Sequence, residues 1–140
     1  MLLPKKVKFR KWQTSRSKKN RTRRIETRGT TVAFGSFGLK ALTQARVKST
    51  QIEAARKAMS REIKKTGRLW IRIFPDRPYT AKPAEVGMGK GKGDPQGYVF
   101  EVLPGRMIFE IDGVDAVTSK MILEKGGAKL PLVARVVARS

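Results

Sequence analysis

Apolar residues recur at regular intervals only from about residue 30 onward, and there their spacing predicts short strands and two helices. Alternating or continuous apolar runs bounded by glycine, proline or aspartate are typical of strands. The predicted strands are 30–34, 39–42, 69–74, 98–103, 107–111 and 132–138. Pro104-Gly105 has the composition of a tight turn, so the fourth and fifth strands are predicted to pair as a hairpin.

The first helix is predicted over residues 51–66. Thr50 and Glu53 have the spacing of a capping box at its start, and Gly67 suits the position just beyond its end. Apolar residues at helical spacing predict its buried face, and they are Ile52, Ala55, Met59 and Ile63.

A second helix is predicted over residues 115–125, with Val117, Met121 and Ile122 directed inward. Strands and helices in this order are typical of an α+β fold. We therefore expect an antiparallel sheet that carries two helices. Residues 30–140 would form this single domain, and residues 1–29 would precede it as a basic arm.

The arm is the most basic part of a chain that holds 32 Lys and Arg against 11 Asp and Glu, a net charge of +21. Its few apolar residues cannot bury enough surface to offset ordering, so we expect disorder until a polyanion neutralises it. A tail without function is the plainer interpretation. Aromatics among cations favour RNA, because they can stack on unpaired bases. The candidate contacts are Lys5, Lys6, Lys8, Phe9, Arg10, Lys11, Trp12, Arg16, Lys18, Lys19, Arg21, Arg23, Arg24 and Arg28.

Cations also cover the polar face of the first predicted helix. Such a face often only meets water. Mutual repulsion among so many cations would destabilise the helix, and phosphates would relieve it, so we expect contact with nucleic acid. The candidate residues are Arg56, Lys57, Arg61, Lys64 and Lys65.

Glycine alternates with lysine in residues 88–93, a pattern that combines a permissive backbone with regularly placed point charges. The segment matches neither a Walker A motif nor a dinucleotide fingerprint, because Asp94-Pro95 follows it instead of a helix start. A flexible solvated loop is the alternative. In so basic a chain, contact with phosphate is favoured. The candidate loop residues are Lys82, Met88, Gly89, Lys90, Gly91, Lys92 and Gly93.

Catalysis is not expected from this sequence. The chain has no cysteine and no histidine, which excludes thiolate chemistry, His-based mechanisms and Cys/His zinc sites. Its carboxylates lie mostly at predicted turns and strand ends, and they form no recognisable catalytic or metal-binding set. We therefore expect no enzyme activity, cofactor, metal or small-molecule substrate. No apolar run is long enough to span a membrane.

The chain resembles the bacterial-type large-subunit ribosomal protein L-sixteen family, the universal uL-sixteen family, from end to end. The matching stretches are PKK at 4–6, KFRK at 8–11, FGSFGLK at 34–40, QIEAAR at 51–56, WIRIFPD at 70–76, KPA at 82–84, MGKGKG at 88–93, PGR at 104–106 and AKLP at 128–131. The chain departs from the family at Gly87, where arginine is common, and in the longer, more basic segment 14–28.

The resemblance implies a compact α+β sandwich, built on the antiparallel sheet, from which the Gly-Lys loop projects. It also implies a structural component of the large ribosomal subunit that binds large-subunit rRNA near the peptidyl-transferase centre. It further implies contact with the A-site tRNA, or with the P-site tRNA, and a role in late subunit assembly beside neighbouring ribosomal proteins. The expected location is the cytoplasm, within ribosomes, and an organellar ribosome is the other possibility. The alternative function is a DNA-compacting architectural protein, and a metal-dependent nuclease ranks third.

Overall fold

Two antiparallel sheets and two helices make up the part of the chain that the computed structural model describes, which is residues 1–13, 24–63 and 65–140. The strands are Phe37–Ala41 (β1), Ala45–Lys48 (β2), Arg68–Ile71 (β3), Arg77–Ala81 (β4), Asp94–Val102 (β5), Met107–Asp112 (β6) and Ala134–Ala138 (β7). The helices are Ser49–Glu62 (α1) and Ala116–Gly127 (α2). The predicted α+β class is confirmed.

The sheets divide the strands unequally. One has four strands in the order β3-β6-β1-β7, and the other has three in the order β2-β5-β4. Every pairing is antiparallel. The loop that contains residues 88–93 therefore joins β4 to β5 in the three-stranded sheet, whereas both termini of α2 connect strands of the four-stranded sheet.

The core is formed by the helices and the four-stranded sheet, and Val47 and Val102 of the three-stranded sheet complete it. Phe109 and Leu39 reach it from the four-stranded sheet, Ile52 and Met59 from α1, and Leu123 from α2, and all five are essentially inaccessible to solvent. Fully burying side chains of this size contributes about 1.5–3 kcal/mol each. The predicted apolar stripe of the first helix is confirmed, with its last member, Ile63, half-buried just past the helix end.

A polar contact also joins the two helices. The Lys125 ammonium of α2 donates to the Glu62 carboxylate of α1 at 2.6 Å, and this bond lowers the pKa of Glu62. Both side chains are about half exposed, so the ion pair adds little to stability beside the apolar contact.

The predicted hairpin at Pro104-Gly105 is wrong. The turn is there, with Gly105 at φ +100° and the Arg106 N–H donating to the Leu103 carbonyl at 3.2 Å. However, β5 already pairs with β2 and β4 along its two edges, while β6 pairs with β1 and β3. The turn consequently carries the chain from one sheet to the other.

The strand predicted at 30–34 is also wrong. Its backbone N–H groups bond to a side chain rather than to a neighbouring strand: Ala33 and Phe34 donate to the Glu110 carboxylate at 2.7 and 2.8 Å. Glu110 is fully buried in β6, where Arg72 also donates to it at 2.7 Å. β1 begins only at Phe37, beyond this anchored segment.

Strands β2 and β4 were not predicted. Val47 is the one large apolar residue of β2, so its alternation is too short to detect. Pro78 lies within β4, and proline argues against a strand except at a sheet edge, which is where β4 lies.

The predicted helix ends need correction. α1 begins at Ser49 rather than 51, and the Gln51 side chain accepts from the Lys48 N–H at 2.8 Å, so Thr50 and Glu53 do not form the capping box. α1 ends at Glu62, four residues before the predicted end, because the backbone is extended at Ile63.

The predicted inward face of α2 is partly wrong. Val117 and Met121 are 71% and 56% exposed, and only Ile122 of the predicted trio is buried. Ser119, Leu123 and Gly126 complete the inward face. Small residues occupy it because α1 approaches closely: a Cβ on Gly126 would collide with the Met59 side chain.

Replacing Glu110 with glutamine should destabilise the fold by about 3–5 kcal/mol, because it leaves the Arg72 guanidinium uncompensated at a buried site. Urea unfolding followed by circular dichroism measures this. Glu124→Gln, an exposed change on α2, should stay within about 0.5 kcal/mol of the parent protein. Equal unfolding free energies for the two variants would contradict the anchoring role of Glu110.

Candidate nucleic-acid interface

The Gly-Lys loop, residues 82–93, reaches outward from the β4–β5 edge of the three-stranded sheet. Three consecutive residues at its tip, Gly89, Lys90 and Gly91, have positive φ angles of 96°, 60° and 90°. An added Cβ on either glycine would meet no atom within 4 Å, so glycine is required there by backbone conformation rather than by space. The tip bends sharply and leaves Met88 fully exposed.

The lysines of the loop have different partners. The Lys82 ammonium donates to the Gly89 carbonyl and closes the loop on itself, and the Lys92 ammonium donates to the Trp12 carbonyl. Lys90 lies exposed at the tip and has no hydrogen-bond or ionic partner among the described residues. From the sequence, these lysines were predicted to be equivalent phosphate contacts. The structure distinguishes Lys90, at the tip, from Lys82 and Lys92, which bond within the protein.

The N-terminal segment lies against the base of this loop, and Arg77 of β4 organises the contact. Its guanidinium stands 5.5 Å from the centre of the Trp12 ring, and its Nη2 donates to the Gln13 carbonyl at 3.4 Å. Its Nη1 lies 2.5 Å from the Glu101 carboxylate on β5. A cation over an aromatic face is worth about 0.5–1 kcal/mol at an exposed site.

Two further contacts join arm and loop. The Lys11 ammonium donates to the Lys92 carbonyl at 3.3 Å, and Arg10 lies 4.0 Å from the Asp94 carboxylate. The arm–loop junction, defined as residues 10–13 with Arg77, Lys92 and Asp94, therefore unites two of the three predicted contact surfaces.

The other arm residues on the predicted list divide into three groups. Lys5, Lys6, Lys8 and Phe9 are exposed, with the Lys8 ammonium 5.4 Å from the centre of the Phe9 ring. Arg24 and Arg28 are exposed where the chain approaches the body. Arg16, Lys18, Lys19, Arg21 and Arg23 lie outside the described residues.

Helix α1 presents a smaller cationic face than the sequence suggested. Arg56 bonds to the Glu53 carboxylate, which raises the pKa of Arg56 and lowers that of Glu53. Lys57 and Arg61 are exposed on the helix, and Lys65 is exposed beyond its end. Lys64 lies outside the described residues. Within the parts of the chain that are described, no hydrogen bond or ion pair joins this face to the arm or the loop.

Arg77 was missed by sequence reasoning. The signal that could have found it is its place after Pro75-Asp76, at the start of the stretch that leads into the glycine-lysine run. Without β4 recognised as a strand, nothing indicated that Arg77 would face Trp12, 65 residues away in sequence.

Across residues 1–13, 24–63 and 65–140, no three acidic or metal-ligating side chains are grouped so as to hold a metal ion. Neither described helix has the length and apolar composition needed to cross a bilayer. The chemistry that this surface offers is charge and stacking: exposed cations of the arm and the loop, together with the exposed Trp12 and Phe9 rings.

Comparison with known proteins gives one consistent result. Residues 4–137 match the family model described as ribosomal protein L16p/L10e. The chain is 52% identical to the large ribosomal subunit protein uL16 of Rhodopseudomonas palustris strain BisB18, and the match covers 99% of this chain and 98% of the relative. Identity is 53% with the protein of that name from strain HaA2 and 52% with that of Nitrobacter hamburgensis, at the same coverage.

The basic surface and the matches together define the class, which is that of the structural, non-enzymatic ribosomal proteins. Within that class, the chain belongs to the ribosomal protein L16p/L10e family. It is a constituent of the large ribosomal subunit, so the resemblance stated from the sequence and the expected location in the ribosome are confirmed.

Replacing Arg77 with glutamine should release residues 10–13 from the loop, because it removes the cation beneath Trp12 and the donor to Gln13. Relaxation of the Trp12 indole N–H measures this, and its order parameter should fall below about 0.6. Trp70 serves as the internal reference.

Arg46→Gln is the matched control, because Arg46 also pairs with Glu101, at 3.1 Å, yet has no contact with Trp12. Its Trp12 order parameter should equal that of the parent protein. Equal mobility of Trp12 in the two variants would contradict the organising role of Arg77.

Proposed function

We propose that this protein binds large-subunit rRNA near the peptidyl-transferase centre, contacts the A-site tRNA through its Gly-Lys loop and acts in late subunit assembly. The observation that carries the proposal is the arm–loop junction, which combines exposed cations with the exposed Trp12 ring in a chain of charge +21. Cations neutralise phosphates and aromatic faces stack on unpaired bases. Because the chain belongs to a ribosomal protein family, rRNA is the polyanion that we infer it binds.

In this proposal the arm, residues 1–29, lies against rRNA. Its exposed lysines bind phosphates, and the Phe9 and Trp12 rings can accept bases on their open faces, since they are 58% and 43% exposed. Each such stack is worth about 1–3 kcal/mol. The exposed cations of α1, Lys57 and Arg61, contribute a separate phosphate contact.

The three lysines of the loop have different roles in this proposal. Lys90 is the group offered to a tRNA or rRNA phosphate, because its ammonium is exposed at the tip. Lys92 and Lys82 hold the loop in position through the Trp12 and Gly89 carbonyls. A preformed loop loses less conformational entropy on binding than a mobile one.

The first test is sucrose-gradient fractionation of cell lysate with salt washes, followed by detection of this chain. Co-sedimentation with rRNA-containing large subunits through moderate salt supports the proposal. Recovery with DNA, in an association lost at moderate salt, would overturn it in favour of the architectural function.

Lys90→Ala should leave the unfolding free energy unchanged and weaken A-site tRNA binding by about 1 kcal/mol, roughly fivefold, because one solvent-exposed ionic contact is lost. The measurement is tRNA binding to large subunits reconstituted with the variant and joined to small subunits. The salt slope of binding should also fall by about 0.7.

Lys120→Ala removes an exposed lysine from α2, which packs against the four-stranded sheet rather than the sheet that carries the loop, and is the matched control. It should not affect tRNA binding. If Lys90→Ala subunits bind tRNA and mature as the control does, the loop has no role in tRNA contact.

A further inference from the structure

A cavity of about 410 Å³ opens at the β3 edge of the four-stranded sheet, on the sheet that does not carry the Gly-Lys loop. It is lined by Phe34, Thr66, Arg68, Trp70, Asp112 and Gly113. Its volume falls within the range of about 300–1,000 Å³ that is usual for small-ligand sites. The ribosomal function proposed above assigns no role to it.

Two aromatic rings form one wall of the cavity. Phe34 and Trp70 lie nearly parallel, at an interplanar angle of 20°, with ring centres 6.2 Å apart. The Arg72 guanidinium lies 5.1 Å from the Phe34 ring centre. Trp70 lies in β3 and Arg72 lies just beyond its end, two positions along the chain, so both side chains lie on the same side of the backbone, and Phe34 contacts both. Even so, 56% of Phe34 remains exposed.

The exposed ring of Phe34 is held by a rigid backbone. Its own N–H and that of Ala33 donate to the buried Glu110 carboxylate at 2.8 and 2.7 Å. A large apolar side chain fixed outward at the rim of a cavity is suited to ligand contact, since little conformational entropy is lost when it binds.

Asp112 and Arg68, which are paired across β6 and β3, add a hydrogen-bond acceptor and a cation to the cavity lining. Asp112 uses Oδ1 to accept from the Ser36 hydroxyl at 2.6 Å and from the Gly113 N–H at 2.9 Å, and these bonds lower the pKa of Asp112, so the group is ionised at neutral pH. Neither bond uses Oδ2. Arg68 is exposed at the rim, and Arg139 is tied to the same corner by its N–H bond to the Ser36 carbonyl at 2.8 Å.

Aromatic faces, a carboxylate acceptor and arginines at the rim are together the groups that recognise an unpaired nucleotide. We propose that this cavity binds an unpaired RNA base that carries an exocyclic amino group. The base stacks on the Phe34–Trp70 wall, its amino group donates to Asp112, and its phosphate lies against Arg68. This inference rests on the proposed rRNA-binding function and adds a second contact surface to it.

Trp70 fluorescence reports occupancy directly. In a Trp12→Phe background Trp70 is the only tryptophan, and the probes are nonamers of cytidylate, of uridylate and of abasic ribose-phosphate. All three carry the same backbone charge, but only cytidylate has the amino group. We expect cytidylate to change the emission at the lowest concentration, uridylate to need at least threefold more, and the abasic chain to leave it unchanged.

Phe34→Leu should weaken cytidylate binding at least about fivefold, the loss expected for one stacked base, without changing the salt slope. Phe34→Tyr keeps the ring and should restore the affinity. Phe74→Leu is the matched control, because Phe74 is likewise exposed but does not line the cavity, and it should bind as the parent does.

Two results would overturn the inference: the same Trp70 response to abasic and cytidylate chains, or the same affinity for Phe34→Leu and the parent. If Phe34→Leu fails to fold, the comparison of probes on the unaltered cavity still decides. Failure of the broader proposal is distinguishable, because it would appear as loss of co-sedimentation with large subunits by a protein whose Phe34 is intact.

Discussion

The buried carboxylate of Glu110 is the interaction on which the arrangement of this protein depends. A carboxyl group without solvent access must have hydrogen-bond partners within the protein, and here they are the backbone N–H groups of Ala33 and Phe34 and the Arg72 guanidinium. These partners come from two distant parts of the chain. The hydrogen bonds to this one side chain therefore fix both the segment before β1 and the residue that follows β3.

Further contacts continue from Glu110 toward the N-terminal segment. Arg106 donates to the Arg72 carbonyl at 3.0 Å and to the Arg28 carbonyl at 3.3 Å. The Glu26 N–H donates to the Pro104 carbonyl at 2.9 Å. The turn that connects the two sheets is thus also the place where the segment before β1 is held. The same hydrogen bonds therefore fix both the connection between the sheets and the direction of the arm.

The sequence predicted what depends on local pattern and missed what depends on distant partners. The apolar stripe of α1 from Ile52 to Met59 needs only helical spacing, and it was found. The role of Arg77 needs Trp12 to lie beside β4, which no local pattern indicates. The strand predicted at 30–34 failed for the same reason, since β-prone residues there bond to a carboxylate 76 residues away. Val117 and Met121 fit a helical period yet face outward, because spacing alone does not identify the buried side.

Some of the cations of this protein bond to groups within the protein itself, and these bonds shape its two candidate RNA-binding surfaces. In a chain of +21, a cation that pairs with a carboxylate adds less to the general repulsion, and a cation that bonds to a carbonyl is held in a fixed place. Lys92 on the Trp12 carbonyl and Arg72 on Glu110 are such cations: the first holds the Gly-Lys loop to the arm, and the second lies beneath the exposed Phe34 ring. The two proposed RNA surfaces lie on different sheets of one folded body. Binding at the first would therefore present the second at a high effective concentration, so modest contacts at each could give firm attachment to a folded RNA.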